Sequence, residues 1–308
     1  MAIKYVVAHR KDPNNIGDIA SNPLQYFLKP NEYKIIDIAH IGAESYPDNV
    51  PMIVGGGGLI GNSNFGDFFA EILNSSDRNQ IEAIWEQSWT LSNPEHKELH
   101  DEFHTKLRSI TNELLAKIRP VTAPRIIWGA GHNSDNGAQE FKEIKWPKCF
   151  AKYNLIGLRD FSIHSRFNWT PCASCMHPAF DKTYAVKNDI IWFEHKKQLI
   201  KDFGNDPIPR FINSGSNLEQ TIELLGSANT IITNSYHGAY WGTLLKKKVI
   251  IAGGVWSSKF RFFKHQPPIV GKKETWQDHI ESTPIFDTAL DECRAATKNF
   301  WAQIQGIS

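Results

Sequence analysis

Several segments place polar or cationic side chains directly after short apolar runs, where a parallel sheet would present them at strand ends. The most informative is Thr230-Ile231-Ile232-Thr233-Asn234-Ser235-Tyr236-His237-Gly238-Ala239. A buried strand there delivers a polar cluster to its carboxyl end, and a helix begins at once, so unsatisfied backbone N–H groups face an anion. His237 beside them suits an anion as imidazolium or a proton transfer as general acid; it suits capping or packing equally well. Gly157-Leu158-Arg159-Asp160-Phe161-Ser162 also ends a strand. Arg159 can fork onto a carboxylate or phosphate, or pair with Asp160. Asn15-Ile16-Gly17-Asp18 follows the first strand, where Asp18 can take a proton from a hydroxyl or cap a helix. Lys259, Arg261 and Lys264 are interleaved with Trp256, Phe260 and Phe262, a mixture that suits an anionic sugar or a plain solvated basic loop.

Other constellations carry less. Gly56-Gly57-Gly58-Leu59-Ile60-Gly61 satisfies G-x-G-x-x-G but follows the third strand and precedes two long helices, so the dinucleotide context is missing. It is expected instead to be a loop whose backbone N–H groups face an anion, or a tight, closely packed turn. His96, His100 and His104 share one predicted helix face, without the acid that a zinc-binding helix carries after its first His. Cys172-Ala173-Ser174-Cys175 has zinc-knuckle spacing but no second pair, which leaves packing of small residues as its expected role. Neither G-x-S-x-G nor a Walker A pattern occurs, and no metal is expected.

The elements that must position these residues alternate in type. Strands are expected at Ile3–Ala8, Tyr33–Ala39, Met52–Val54, Arg125–Trp128 and Leu155–Leu158, with a helix-like stretch from Asp18 to Leu28. Long helices are expected at about Asp67–Ser88 and Pro94–Ile118. The segment Trp169–Lys187 is irregular and serves as a crossover. Strands then recur at Asp189–Phe193, Arg210–Ile212, Thr230–Thr233 and Val249–Ile251. Helices are expected at Leu218–Leu225, capped by Ser216 or Asn217, at Gly238–Leu245, and at Thr288–Gln305. This is an α/β pattern of two Rossmann-like lobes with parallel sheets, residues 1–180 and 181–308, whose ligands bind beyond strand carboxyl ends.

The chain has 308 residues, with Lys+Arg 34 against Asp+Glu 33, a net charge of +1. That balance argues against a nucleic-acid partner, which needs a broad cationic face, but permits a compact anion site. The start lacks the pattern of a signal peptide, and no run reaches the roughly eighteen apolar residues of a membrane span. Four cysteines at scattered positions do not make a disulfide scaffold. A cytoplasmic location follows as the expectation.

Taken in order, the motifs resemble the polysaccharide pyruvyl transferase family. They are Asn15-x-Gly17-Asp18, Gly55–Gly58, Arg159-Asp160-x-Ser162, Pro171-Cys172-Ala173-Ser174-Cys175-x-His177-Pro178 and Ser235-Tyr236-His237-Gly238. The cysteine stretch looks most like the succinoglycan-type exopolysaccharide branch. The resemblance implies a GT-B-like pair of lobes around a cleft. It also implies transfer of the pyruvyl group of phosphoenolpyruvate to two hydroxyls of one sugar, giving a cyclic ketal and phosphate without a cofactor. The family's donor-site Arg and His match Arg159 and His237. Ser235, Tyr236, Gly238, Lys259 and Arg261 would complete the donor side. Asn15, Gly17, Asp18, Gly56, Gly57, Gly58 and Trp256 would line the acceptor side, with Asp18 as base. Many members have Arg-Leu-His where this chain has Ser235-Tyr236-His237, so Lys259 or Arg261 would have to supply the missing cation. The acceptor would be a saccharide of a growing polysaccharide, often lipid-linked, which implies a peripheral encounter with the inner membrane face. The competing expectations are a GT-B glycosyltransferase using a nucleotide-sugar, with Glu219 near the ribose, and a non-catalytic glycan-binding relative.

Overall fold

A computed structural model describes residues 2–38, 47, 49–60, 122–133, 148–161, 166–196, 208–215, 217–253, 257–271 and 275–308. The two long helices expected after the glycine run, with His96, His100 and His104, lie outside the described residues. So do Gly61, Ser162, Ser216, Gly254 and Trp256.

Every named strand pairing is parallel, and the strands fall into two sheets. The first contains β1 (Tyr5–His9), β2 (Tyr33–Asp37), β3 (Met52–Ile60), β4 (Arg125–His132), β5 (Leu155–Leu158) and β6 (Asn168–Trp169), in the order β2-β1-β3-β4-β5-β6. The second contains β7 (Asn188–His195), β8 (Arg210–Asn213), β9 (Ala228–Thr233) and β10 (Lys248–Ile251), in the order β10-β9-β7-β8. The described α-helices are α1 (Ile16–Ala20), α2 (Leu218–Gly226), α3 (Tyr236–Leu244) and α4 (Ala289–Ile307). Among the described residues no helix is long and apolar enough to cross a membrane.

Both faces of the first sheet are covered, as parallel sheets require. Alternation along β1 sends Val6 and Ala8 into one cluster with Ile36, Val54 and Ile127. Tyr5 and Val7 go to the other face, with Ile53, Ile126 and Trp128. Phe300 and Ile304 of α4 close that second face, while Ala289 and Cys293 at the start of α4 enter the core built on Ile191 and Ile231 of the second sheet and Trp241 of α3. The terminal helix therefore ties the two sheets together.

Three elements differ from the sequence expectation. The first helix ends at Ala20, because Pro23 has no N–H to continue it and Asn22 turns its side-chain oxygen onto the Leu24 N–H at 3.0 Å. A short 3-10 turn at Leu24–Tyr26 follows. The glycine run is a strand rather than a loop. Gly55, Gly57 and Gly58 pair with Trp128, Ala130 and Gly131, so the ladder holds the backbone expected to face an anion. Gly56 and Gly57 have φ of +70° and +94°, and a Cβ at Gly56 would sit 2.4 Å from Ser21 Cβ. A Cβ at Gly58 would sit 2.5 Å from Asn133 Cβ, so two of these glycines admit close neighbours. Finally, β6 ends on Trp169, the first residue of the stretch expected to be irregular.

The rest of that stretch is a wedge of small residues between α3 and α4. Tyr240 Oη donates to the Cys172 carbonyl at 2.9 Å, Trp241 Nε1 to Ser174 Oγ at 2.9 Å, and Arg294 Nε to the Cys175 carbonyl at 2.9 Å. Cys172 and Cys175 are buried free thiols, and burial pushes both upward, Cys175 to about 11. His177 accepts from the Ala179 N–H at 3.2 Å and so caps the next 3-10 turn.

Candidate functional site

In an open parallel sheet, ligands gather beyond the carboxyl ends where the strand order reverses. The first sheet reverses between β1 and β3, the second between β7 and β9. The segments leaving those points touch one another. Lys196, just after β7, donates to Asp12 Oδ2 at 2.6 Å and to the Asn14 carbonyl at 3.2 Å in the loop after β1. Gly17 in α1 lies against His237 in α3, and a Cβ there would sit 2.1 Å from His237 Nδ1. Glycine at position 17 is what lets the two segments meet.

The start of α3 is built by the residues before it. Thr233 Oγ1 accepts from the Ser235 N–H at 2.9 Å and turns the chain out of β9. Ser235 is the N-cap, its Oγ facing the Gly238 N–H at 3.5 Å and accepting from Asn213 Nδ2 at 2.9 Å. Gly238 admits Thr233 Oγ1 and Phe193 within 2.6 Å of where a Cβ would be. His237 is thereby fixed in the first turn, with Nε2 3.7 Å from Cys172 Sγ and its ring 4.8 Å from that of Trp241. Burial first, then the charges of Arg159 and Lys259, push its pKa down to about 3. The imidazolium, one of the roles open to His237 in the sequence, is therefore not the state this environment favours: at neutral pH His237 is a neutral donor or acceptor.

Arg159 emerges at the end of β5, its N–H bonded to the Ala130 carbonyl at 3.0 Å. Its guanidinium carbon lies 3.8 Å from the centroid of the Tyr236 ring, and the residue is 4% exposed. Its Nε has no hydrogen-bond partner, and among the described residues no carboxylate pairs with the guanidinium. A Cβ at Gly131 would sit 2.3 Å from Arg159 Nε, so Gly131 makes room for it. A buried cation that, among the described residues, has an aromatic face beside it and no carboxylate is an unusual arrangement that an anion would complete.

Lys259 belongs to a 3-10 turn at Ser258–Arg261 laid over the end of β4. Ser257 Oγ donates to Asn133 Oδ1 at 2.7 Å, and the Phe161 N–H donates to the Phe262 carbonyl at 2.8 Å, which pins the turn to the first sheet. Lys259 is buried and close enough to depress His237, whereas Arg261 at the end of the turn is exposed. In α1, Asn15 Oδ1 accepts from the Gly17 N–H at 3.2 Å. Asp18 follows, its carboxyl raised to about 6 chiefly by burial and restrained by Arg10 and Lys196. It remains a carboxylate at neutral pH. The structure thus gathers Arg159, Tyr236, His237, Lys259 and Gly17. Asp18 stands one residue on, Gly56–Gly58 are packed within the sheet, and Glu219 is an exposed partner of Lys182 on α2.

The sequence misses one pair altogether. Asp160 does not pair with Arg159; its Oδ2 accepts both the His132 N–H and His132 Nδ1, each at 2.7 Å. Both side chains are buried, 4% and 1% exposed. The usable signal was that His132 and Arg159 each follow an apolar run at a strand end.

The buried histidines make stability pH-dependent. His9 is pushed down to about 4 by burial, and His237 to about 3, against about 6.5 in an unfolded chain. Between those values the unfolded chain binds more protons, so stability falls as pH drops below about 6.5. Asp18, raised to about 6, acts oppositely between about 6 and 4 and cancels part of the loss. Each group contributes at most about 1.4 kcal/mol per pH unit. The urea midpoint is expected to fall from pH 7 to pH 5, and His237→Asn to flatten that slope; an unchanged slope in the variant would refute the assignment.

No family model and no curated protein matches the chain significantly. Among solved structures, the chain is similar to a functionally uncharacterized protein of Klebsiella pneumoniae, at 13% identity and a TM-score of 0.41, covering 80% of this chain and 82% of that one.

Proposed function

We propose that the chain is a polysaccharide pyruvyl transferase, with two lobes arranged as in GT-B enzymes and the reacting groups at their junction. The observation that carries this reading is Arg159, a buried guanidinium stacked on Tyr236 with no carboxylate partner among the described residues, beside Lys259 and His237. Phosphoenolpyruvate carries a carboxylate and a phosphate and needs such a set of donors. Arg159 holds the carboxylate. Lys259 and the N-terminus of α3 hold the phosphate, with His237 adding a neutral N–H. Ser235 is committed to capping α3, so Lys259 supplies the cation that relatives carry at that position.

The reaction needs a proton on the methylene carbon, after which the central carbon is electrophilic and a sugar hydroxyl adds to it. Asp18, ionised at neutral pH, takes that hydroxyl's proton. Phosphate leaves with the C–O electron pair, the second hydroxyl adds to the same carbon, and its proton departs with the phosphate. The acceptor is a saccharide, free or lipid-linked.

The test is phosphate release from phosphoenolpyruvate against galactosides, glucosides and mannosides. Release is expected with at least one class, and His237→Ala is expected to lower kcat/KM by about tenfold to a hundredfold, the value of one hydrogen bond to a charged group. Full turnover in His237→Ala would overturn its assignment. Failure of the wild type to release phosphate with every sugar would count against the activity.

A further inference from the structure

A groove between α1 and the start of α2 shares no lining residue with the Arg159 cluster and has no part in the reaction above. Gln25 and Tyr26 line it from the turn after α1, His177 from the crossover, and Asn217 and Glu219 from the start of α2. Its volume is about 400 Å³, within the range of small-molecule sites. We propose that this groove binds a neutral saccharide. The inference concerns binding alone and does not rest on pyruvyl transfer.

Each of these side chains is fixed at one end by the protein and keeps hydrogen-bonding capacity at the other. Gln25 Nε2 donates to the Ile19 and Asn22 carbonyls, both at 2.9 Å, which leaves Oε1 as an acceptor. Tyr26 Oη donates to the Ala20 carbonyl at 2.9 Å and keeps its lone pairs. His177 Nδ1 accepts from the Ala179 N–H at 3.2 Å, so the proton of the neutral ring sits on Nε2. Burial holds that ring's pKa below its ordinary value, which favours the neutral form at neutral pH. Asn217 Oδ1 accepts from the Gln220 N–H at 3.1 Å, which leaves Nδ2 to donate. Glu219 gives one oxygen to Lys182 and keeps the other. Acceptors on Gln25, Tyr26 and Glu219 therefore stand with donors on His177 and Asn217.

Sugar hydroxyls both donate and accept, so a mixed set of this kind serves them. The Tyr26 and His177 rings stand at 86° with centroids 6.5 Å apart, an edge against a face rather than a slot for a flat base. The negative face of an aromatic ring suits the C–H side of a pyranose. Among the described residues no Lys or Arg lines the groove, and its one carboxylate is paired with Lys182. That disfavours an anionic ligand, which needs charged donors, and a divalent cation, which needs several oxygen ligands. The lining is helix and turn, so it offers no strand edge for a peptide to extend.

The experiment is calorimetric titration of the wild type, Gln25→Ala and Glu219→Ala, without phosphoenolpyruvate. The probes are maltotriose, mannotriose, galactotriose and chitotriose, with trigalacturonic acid and a neutral alanine-rich hexapeptide as comparisons. Saturable binding of at least one neutral trisaccharide is expected, with the acid and the peptide at least about tenfold weaker. Gln25→Ala is expected to weaken that binding by about twofold to tenfold, the value of one neutral hydrogen bond. Glu219→Ala is expected to weaken it by about tenfold to a hundredfold, the value of one hydrogen bond to a charged group. Both side chains are exposed, so urea midpoints should stay close to that of the wild type. No saturable binding of any neutral trisaccharide, binding of the acid or the peptide at least as tight, or wild-type affinity in both variants would overturn the site.

Discussion

Arg159→Met is expected to lower kcat/KM for phosphoenolpyruvate by about 10²–10³-fold without destabilising the protein. The guanidinium is 4% exposed and stacked 3.8 Å from the centre of Tyr236, with no carboxylate opposite it among the described residues. In the ligand-free protein this buried charge opposes folding, and methionine fills most of its volume without one. With the donor bound, the same change leaves a buried carboxylate unpaired, a loss of about 3–5 kcal/mol, and each 1.4 kcal/mol is tenfold. Activity and stability should therefore move independently. Arg159→Lys should fall between, since lysine keeps the charge but loses the planar fork and the stacking. A methionine variant within about fivefold of wild type would place the anion elsewhere.

Trp241→Ala is expected to be the most destabilising of the site-proximal changes, by about 3–5 kcal/mol. Trp241 is fully buried at the centre of the second core, its ring supports His237 at 4.8 Å, and its Nε1 donates to Ser174 Oγ at 2.9 Å. Truncation empties that volume, releases Ser174 and removes the wall behind His237. At about 2–4 °C per kcal/mol the melting temperature should fall by roughly 6–20 °C. Trp241→Phe keeps most of the ring and should lose about a third of that. A fall under about 2 °C for the alanine variant would mean that the crossover wedge does not depend on this contact.

Much of this was legible in the sequence because it depends on local order. Short apolar runs announced the parallel strands, and β5 falls where Leu155–Leu158 placed it. Asn217 and Ser235 cap α2 and α3 as their residue types allow. Arg159 and His237 were singled out because strand ends are where open α/β sheets bind ligands. The misses share a different cause: each depends on which elements become neighbours. Gly55–Gly58 lacked β-forming side chains, yet β4 beside them, with a glycine at 131, made the ladder. Asp160 was weighed against Arg159, its neighbour in sequence, but bonded His132 because β4 and β5 lie side by side. His237 was open between a cation and a packing residue until Tyr236, Trp241 and Cys172 closed around it and Arg159 and Lys259 approached, which favours the neutral form.

The central claim is that the Arg159, Lys259 and His237 cluster receives phosphoenolpyruvate. Calorimetric titration of phosphoenolpyruvate, UDP and GDP into the wild type and Arg159→Met tests it most directly. Saturable binding of phosphoenolpyruvate by the wild type, lost in Arg159→Met, with no binding of either diphosphate, is the predicted result. Binding of UDP or GDP with none of phosphoenolpyruvate would contradict it and make the chain a nucleotide-sugar enzyme instead.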